Sequence, residues 1–219
     1  MSEHNQQFTY QITLLRHGES TGNAQGIFQG QAEFDLSERG EAQARALAKR
    51  WLEEEITFDR IISSPSVRAK QTAEIIADSL SLSVEFNPDL KEIDNGVFAG
   101  LTHDEIAERY DFPDFMTPYE AIGESGESAW DLYLRAGRVV QELVSQPVGK
   151  FLVISHGGFL NRVLYSMLGI HPQANFAGAR FHFRNAAFAI VYYDPTRHIW
   201  LLDRFNDRAH WPEDDEPLD

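Results

Sequence analysis

The chain has 219 residues, of which 42% are hydrophobic, enough to bury the core of one α/β domain. Its 34 acidic residues against 19 lysines and arginines give a formal charge of −15, which excludes a surface that broadly attracts nucleic acid or acidic membranes. The absence of cysteine excludes disulfides, thiolate metal ligands and a cysteine nucleophile. The polar amino terminus and the lack of an apolar run long enough to span a bilayer predict a soluble, cytoplasmic protein.

The first half of the chain alternates predicted strands and helices. The apolar run YQITLL ends on Arg16 and His17, and FDRIISS and SLSVEF are typical of further strands. Ser64 and Pro65 are predicted to cap and begin the helix between those two strands. Ser37 is predicted to cap an earlier helix, whose apolar side would carry Ala42, Ala46, Leu47 and Leu52.

The middle of the chain is predicted to be a lid. From about residue 98 to residue 126 the sequence is rich in proline and aromatic residues and has no clear periodicity. Within it, Thr102 and Glu105 match the capping box of a short helix. We interpret this segment as a partial cap over a site in the main body.

The last third of the chain returns to regular elements. An amphipathic helix is predicted from Glu127 to Val144, followed by the strand KFLVIS, which ends on His156. FLNRVLYSML is predicted to form a helix closed by Gly169, and a hairpin is predicted to turn at Asp194. The strand that ends on His156 repeats the pattern of the first strand: an apolar run, a histidine and a glycine.

The alternation of elements predicts a single domain over residues 1–219, with an α/β fold. We expect a three-layer α/β/α sandwich around a mostly parallel sheet. The acidic tail, from about residue 212 to residue 219, is predicted to be disordered. An exposed edge strand in the C-terminal hairpin would offer a contact for a homodimer.

Basic and imidazole side chains follow three of the predicted strands. In an α/β sheet, ligands bind at the carboxyl ends of the strands, and Arg16, His17, Arg68 and His156 all follow such ends. Four groups of this kind in one crevice of an acidic protein would repel one another without an anion between them. Arginine binds phosphoryl oxygens through two parallel hydrogen bonds, and a histidine nitrogen can attack phosphorus. The residues therefore predict a phosphoryl site in which one histidine is the nucleophile.

Five motifs in a fixed order carry a family resemblance. The motifs are LLRHGEST with a following Asn23, SSPSVRAKQTA (63–73), LKEIDNGVFAG (90–100), GES (126–128) and VISHGG (153–158). Together they resemble the histidine phosphatase superfamily, the phosphoglycerate-mutase-like proteins, over nearly the whole chain. The segment FNDRAHW is also similar to the closing Asn-Asp and His of that family.

The resemblance implies a role for each candidate residue. His17 would be the nucleophile that becomes phosphohistidine, and Glu92 would protonate the leaving oxygen and later activate water. This route needs no metal, and we expect neither a metal nor a cofactor. The phosphate pocket would be formed by Arg16, Arg68 and His156, with Asn23 at its rim.

Each candidate also has an ordinary interpretation. A histidine at the end of a strand is often a surface residue, and Glu92 lies in a loop where a carboxylate is usually solvated. Arg68 could pair with Glu74 or Asp78, although a cation in the first turn of a helix opposes the helix dipole. The sequence HGG also occurs in the oxyanion turn of esterases, but no Gly-x-Ser-x-Gly elbow follows it. The remaining histidines lack the spacing of metal ligands.

Two branches of the family differ around the acid. Mutases carry Glu-Arg-His-Tyr-Gly there and an Arg-Arg pair in the following insertion, whereas this chain has EIDNG and one insertion arginine, Arg109. The sequence KEIDNGVFAG is more similar to the Glu-x-x-x-Gly-x-Trp-Glu-Gly of broad-specificity and alpha-ribazole-type phosphatases, with Phe98 and Ala99 in place of Trp-Glu. The resemblance therefore favours a phosphatase.

The expected function is the hydrolysis of small phosphate esters through a phosphohistidine. The expected partner is a small phosphorylated metabolite, and we expect neither nucleic acid nor a membrane as a partner. Two alternatives stay open: a cofactor-dependent phosphoglycerate mutase-type phosphotransferase, and a non-catalytic protein that binds phosphorylated ligands. A kinase activity in the same chain is excluded, because the chain has no Gly-x-x-x-x-Gly-Lys-Ser/Thr loop.

Overall fold

The computed structural model describes residues 9–111 and 113–211, and its centre is a six-stranded sheet. The strands of this sheet are β1 (Tyr10–Arg16), β3 (Arg60–Ser63), β4 (Val84–Phe86), β6 (Lys150–Ser155), β7 (Phe188–Asp194) and β8 (Ile199–Asp207). Two short strands, β2 (Ile27–Phe28) and β5 (Leu101–Thr102), pair with each other in a separate antiparallel ladder. The tail predicted to be disordered, residues 212–219, lies outside the described residues.

Two helices are capped as the sequence predicts, because Ser37 and Thr102 accept backbone N–H bonds at the starts of the second and fourth helices. The fifth helix begins at Ala129 instead of Glu127, and Ser128, which was not predicted as a cap, accepts the bond there. Across residues 9–111 and 113–211, no helix is long and apolar enough to span a bilayer. The helices are α1 (Thr21–Ala24), α2 (Glu38–Glu53), α3 (Val67–Leu80), α4 (His103–Arg109), α5 (Ala129–Val144) and α6 (Gly157–Leu168), with 3₁₀ turns at Pro88–Leu90, Gly96–Phe98 and Ala174–Phe176.

The sheet is mostly parallel, as predicted. Its strand order is β4-β3-β6-β1-β7-β8, and β4, β3, β6 and β1 run parallel. β7 lies antiparallel to β1, and β8 lies antiparallel to β7. Because β3, β6 and β1 are parallel neighbours, their carboxyl ends meet at one edge of the sheet.

Helices cover both faces of this sheet, which confirms the predicted three-layer sandwich. Side chains alternate along each strand, so neighbouring residues enter different cores. Leu14 of β1 and Val153 of β6 belong to the core formed with α5 and α6. Leu15 and Ile154, one residue further along each strand, belong to the core formed with α2 and α3.

The predicted apolar side of α2 is wrong at three of its four residues. Leu47 is buried as predicted, whereas Leu52 is 52% exposed. Ala42 and Ala46 are half-buried. Trp51 decides the rotation of the helix, because its large ring packs against the aromatic rings of Phe58 and β7. The buried positions are Gly40, Gln43, Ala44, Leu47, Ala48 and Trp51.

The start of α3 also differs from the prediction. Ser66 is the N-cap instead of Ser64, and the helix begins at Val67 instead of Pro65. The side chain of Ser66 makes no capping bond; the backbone N–H of Val67 donates instead to a carboxylate of the loop before α2, at 2.7 Å. Arg68 therefore lies in the first turn of α3, at the edge where the parallel strands end.

The segment predicted to be a lid, about residues 98–126, contains β5, α4 and an irregular loop. Its capping box between Thr102 and Glu105 is present. Because β5 pairs with β2, the segment is attached to the chain that follows β1. A role as a lid stays a prediction.

The C-terminal hairpin of β7 and β8 forms as predicted, and β8 is an outer strand of the sheet. It exposes three large apolar side chains, Ile199, Leu201 and Phe205. An exposed apolar edge strand favours pairing with another chain. The homodimer itself stays a prediction.

Candidate active site

His17 is held from both sides where β1 ends. Its backbone N–H donates to the carbonyl of Ser155 at the end of β6, at 3.0 Å. Its own carbonyl accepts from the side-chain amide of Asn185 and from the backbone N–H of Ala186, each at 3.1 Å. The residue is buried. The backbone therefore leaves the imidazole little freedom to move.

The partners of the His17 ring decide which nitrogen carries its proton. Nδ1 lies 2.6 Å from the carbonyl of Gly18, and a carbonyl only accepts, so we assign the proton to Nδ1. Nε2 then keeps its lone pair, which accepts from Nε of Arg68 at 3.2 Å. Burial, followed by the charges of Arg68 and Arg16, holds the pKa of His17 well below 6.5. His17 is thus a neutral imidazole whose unprotonated nitrogen faces an arginine.

Arg68 is the most buried cation of the site, with 1% of its surface exposed. Its two terminal nitrogens donate to the carbonyls of Ala32 and Gly30, at 2.9 and 2.8 Å. Burial lowers its pKa, and the charges of Glu92 and Glu33 oppose that shift. The alternative pairing with Glu74 or Asp78 is not observed. Among the described residues no carboxylate forms a salt bridge with this guanidinium, so its charge is suited to a bound anion.

His156 lies beside His17 at the end of the neighbouring strand. The two imidazole centroids are 5.1 Å apart, with one ring edge-on to the other. Nε2 of His156 lies 2.9 Å from the hydroxyl oxygen of Ser64, and Nδ1 has no hydrogen-bond partner in the described part of the chain. Burial, followed by the charges of Arg68, His17 and Arg16, holds the pKa of His156 well below 6.5.

Arg16 borders the same cluster. One terminal nitrogen donates to the carbonyl of Phe183 at 2.6 Å. A Cβ atom built on Gly157 would lie 3.6 Å from Cδ and Nε of Arg16, so this side chain lies along the first residue of α6. Its positive charge contributes to the lowered pKa of both His17 and His156.

Glu92 reaches the cluster through the amino terminus of α6. Its carboxylate accepts from the backbone N–H groups of Gly158 and Phe159, at 3.0 and 2.8 Å, and from that of Ile93 at 2.9 Å. A Cβ on Gly158 would lie 2.8 Å from Oε1 of Glu92, too close for an unstrained contact. The absent side chain at position 158 therefore lets the carboxylate reach the helix terminus, where a negative charge is favoured.

Asn23 orders the turn that follows His17. Its side-chain oxygen accepts from the backbone N–H of Ser20 at 3.1 Å and from the amide of Asn185 at 3.3 Å. Asn185 also donates to the carbonyl of His17. Asn23 is therefore linked to His17 through one residue. Its expected place at the rim of a phosphate pocket stays a prediction.

Arg135 and Glu127, which hold the backbone around Glu92 in place, are absent from the predicted site residues. Arg135 of α5 is buried and binds both carboxylate oxygens of Glu127, at 2.8 and 2.6 Å. It also donates to the carbonyls of Asp89, Lys91 and Glu92. The sequence did contain a signal for Arg135, because this residue falls three positions after buried Leu132 and so lies within the apolar stripe of α5. A charged residue in such a stripe indicates a buried ion pair.

The arrangement places a buried cation beside an unprotonated imidazole nitrogen. Arg16 and His17, Arg68, Glu92 and His156 come from four segments of the chain and lie at the carboxyl edge of the sheet. No group of three or more metal-ligating side chains occurs in residues 9–111 and 113–211. Chemically, a buried cation suits an anionic group, and a neutral imidazole nitrogen can act as a nucleophile.

Comparison with known proteins identifies the family. The model of the histidine phosphatase superfamily (branch 1) matches residues 12–208, and the chain therefore belongs to that superfamily. The probable phosphoglycerate mutase GpmB of Yersinia enterocolitica is 34% identical over 209 residues, covering 91% of this chain and 94% of that protein. Membership makes the protein an enzyme of phosphatase or mutase type.

Solved structures with the same fold include named phosphatases. YhfR of Bacillus stearothermophilus has a TM-score of 0.79 and 25% identity, over 92% of this chain and 98% of that one. A mycobacterial glucosyl-3-phosphoglycerate phosphatase in complex with VO3 has a TM-score of 0.73 and 28% identity, over 90% and 98%. A putative alpha-ribazole-5'-P phosphatase of Escherichia coli has a TM-score of 0.78 over 91% and 97%, and at 23% identity it supports the fold alone. These likenesses confirm the predicted family and fold.

Proposed function

We propose that the protein is a metal-independent phosphomonoesterase that works through a phosphohistidine on Nε2 of His17. One observation carries the proposal. The proton of His17 is held on Nδ1 by the carbonyl of Gly18, so Nε2 presents a lone pair beside Arg68, a buried cation without a salt bridge to a carboxylate of the described residues. A nucleophile for phosphorus needs this neutral form, and a phosphoryl group needs such a cation.

In the first step, Nε2 of His17 forms a bond to phosphorus while the bond from phosphorus to the ester oxygen breaks. Arg68, Arg16 and His156 donate to the phosphoryl oxygens, whose negative charge they stabilise. Glu92 gives a proton to the departing oxygen, which leaves as an alcohol. Its Oε2 accepts a single N–H bond, from Gly158, whereas Oε1 accepts two, so Oε2 has the lone pair available for this proton.

In the second step, water attacks the phosphohistidine. Glu92, now a carboxylate, takes one proton from the water as its oxygen bonds to phosphorus. The bond from phosphorus to Nε2 breaks, His17 returns to its neutral form, and inorganic phosphate leaves. The hydrogen bond from Nδ1 of His17 to Gly18 is kept throughout, so the ring does not need to rotate.

Hydrolysis is favoured over mutase turnover by the surroundings of the site. Arg109, the one arginine of the insertion, is exposed and pairs with Glu105 at 3.1 Å. The neighbouring cleft is walled mainly by apolar side chains. A mutase must hold a phosphorylated cofactor or intermediate until phosphate is returned, and among the described residues that line this cleft there is one arginine, Arg162, and no lysine. We place the reaction in the cytoplasm, with a small phosphorylated metabolite as substrate.

The first test is phosphate release from p-nitrophenyl phosphate in the presence of a chelator. We expect turnover by the wild type and its loss in His17→Ala, because no other group in the cluster replaces Nε2 as the nucleophile. His198→Ala, at an exposed histidine of the β7–β8 turn, is the matched control and should retain activity. Turnover that survives in His17→Ala would refute the route.

A second assay separates hydrolase from mutase. The wild type is given 3-phosphoglycerate together with 2,3-bisphosphoglycerate, and phosphate release is compared with the formation of 2-phosphoglycerate. Hydrolysis should exceed isomerisation. If isomerisation is the faster reaction, the protein is a mutase and the proposal fails.

A further inference from the structure

A cleft of about 800 Å³ is lined in part by Gly158, whose backbone N–H binds the carboxylate of Glu92. α6 forms one wall, through Gly158 and its neighbours, and α4 and the loops around it form the opposite wall. Buried Ile106 and Leu132 and the rings of Phe28 and Phe98 contribute apolar surface. The alcohol part of a phosphate ester whose phosphate lies at His17 would extend into this space.

Arg162 is the cation inside this cleft. It follows Gly158 by four residues on α6, so both face the same side of the helix, about 6 Å apart along its axis. Only 7% of its surface is exposed. Within residues 9–111 and 113–211 its Nε has no hydrogen-bond partner and its guanidinium forms no salt bridge. It stacks on the ring of Tyr165, at 4.6 Å from the centroid.

The charges around Arg162 do not neutralise it directly. Burial lowers its pKa, and Tyr165 and Glu92 oppose that shift while the charge of Arg180 adds to it. The other charged residues lining the cleft, Asp104 and Asp114, are exposed at its mouth and form no salt bridge with Arg162. A buried guanidinium with an unused donor is costly unless a ligand completes its hydrogen bonds.

We propose that Arg162 is a specificity residue that binds an anionic group, such as a carboxylate, on the alcohol part of the substrate. The substrate class is then a phosphate monoester of an apolar, ring-sized alcohol that carries an anion about one helical turn from the ester oxygen. This inference rests on the proposed function, because it places the phosphate at His17. Arginine suits the task, since its planar donors bind a carboxylate through two bonds.

The test compares 4-carboxyphenyl phosphate with phenyl phosphate, which share the ring and the scissile bond. We expect the wild type to prefer the carboxylated ester in kcat/KM. Arg162→Met should lower that preference by about 10- to 100-fold, the loss of a charged hydrogen-bond pair. Arg162→Lys should keep part of it. Arg109→Gln, which removes one positive charge outside the cleft, should leave the preference at the wild-type value.

The ratio of the two substrates separates recognition from a structural effect. If Arg162 only supported Glu92 or the packing of Tyr165, Arg162→Met would slow both substrates equally and the preference would not change. That result, or the absence of a preference in the wild type, would overturn the inference. Thermal unfolding of each variant checks that it is folded.

Binding of the products separates this inference from the proposed function. Calorimetric titration of 4-hydroxybenzoate and of phenol requires no turnover. Tighter binding of 4-hydroxybenzoate that is lost in Arg162→Met would support the anion site even if neither ester were hydrolysed, and the proposed function alone would then fail. Hydrolysis of both esters with equal binding of the two products would leave the phosphatase intact and refute the role of Arg162.

Discussion

The molecule contains two turns of nearly the same sequence, each an apolar strand followed by histidine and glycine, and their imidazoles have different hydrogen-bond partners. β1 ends on His17, and β6, its parallel neighbour, ends on His156. The first imidazole has its Nδ1 bound to a carbonyl and its Nε2 facing Arg68. The second has its Nε2 beside the hydroxyl of Ser64. The partners of each ring, and not the shared motif, therefore give the two imidazoles different surroundings.

The segments after the two histidines differ as well. After His17 the chain enters a loop in which Gly18 is packed against the backbone of α2. After His156 it enters α6 at once, so the second turn presents free backbone N–H groups, which Glu92 occupies. In the proposed mechanism, one turn therefore supplies the nucleophile, and the other supplies the support for the acid.

The largest expected effect separates the two histidines by the intermediate that each variant can form. His17→Ala should lower kcat by more than roughly 10⁴-fold and leave no acid-labile phosphoenzyme, because the bond to phosphorus has no acceptor nitrogen. His156→Ala removes a donor to the phosphoryl group and should lower kcat by about 10²- to 10³-fold, while the phosphoenzyme still forms. Rapid quenching without acid, after reaction with a ³²P-labelled ester, measures the phosphoenzyme that each variant forms. A phosphoenzyme in His17→Ala would reverse the assignment.

The second prediction concerns the two glycines after His156. In Gly158→Ala the new Cβ would meet the carboxylate of Glu92 at 2.8 Å, so kcat should fall by about 10- to 100-fold as the acid is displaced. In Gly157→Ala the nearest atoms are those of Arg16, at 3.6 Å, an ordinary contact. Steady-state kinetics of the two variants should therefore differ strongly. Equal rates would show that the contact between Glu92 and α6 is not needed.

The third prediction compares the glycine that follows each histidine through stability. A Cβ on Gly18 would lie 2.5 Å from the carbonyl oxygen of Gly40, which belongs to the backbone of α2 and cannot move without shifting the helix. Gly18→Ala should lower the free energy of unfolding by about 1–3 kcal/mol. Gly157→Ala should change it little, since its new Cβ would make an ordinary van der Waals contact with Arg16 at 3.6 Å. Urea denaturation of the two variants measures this difference in stability, and equal midpoints would contradict the close packing of Gly18 against α2.

The smallest expected effect is on the pH dependence of stability, to which both histidines contribute in the same direction. Their pKa values lie well below 6.5 in the folded protein, so below pH 6.5 the unfolded chain binds protons that the folded protein does not. The free energy of unfolding should therefore fall with decreasing pH, by up to about 1.4 kcal/mol per pH unit for each histidine. Above pH 6.5 neither histidine contributes to the slope. His210, whose pKa burial lowers to about 4, adds to the same trend.

Urea unfolding at several pH values between 5 and 8 measures this slope. His17→Asn and His156→Asn should each reduce the slope below pH 6.5, because each removes one titrating group. A slope that is unchanged in both variants would mean that folding does not lower the pKa of either imidazole, which would contradict the burial described here.

The sequence predicted the local features well. Short-range rules predict four features that are present in the structure. They are the helix caps at Ser37 and Thr102, the end of α6 at Gly169 and the C-terminal hairpin. It failed where packing between distant segments decides the outcome. Trp51, through its contacts with two other aromatic rings, sets the rotation of α2, and the start of α3 moved because Val67 finds a partner in another loop.

By itself, the sequence determined the strand-to-histidine turns, the order of elements, the family and the residues expected at the site. Only the tertiary structure decided how those residues act. The carbonyls that hold Arg68, the helix terminus that holds Glu92 and the ion pair of Arg135 all join segments far apart in the chain. The physical reason is that hydrogen-bond partners, burial and the resulting pKa values depend on which strands become neighbours, and no local pattern of residues encodes that order.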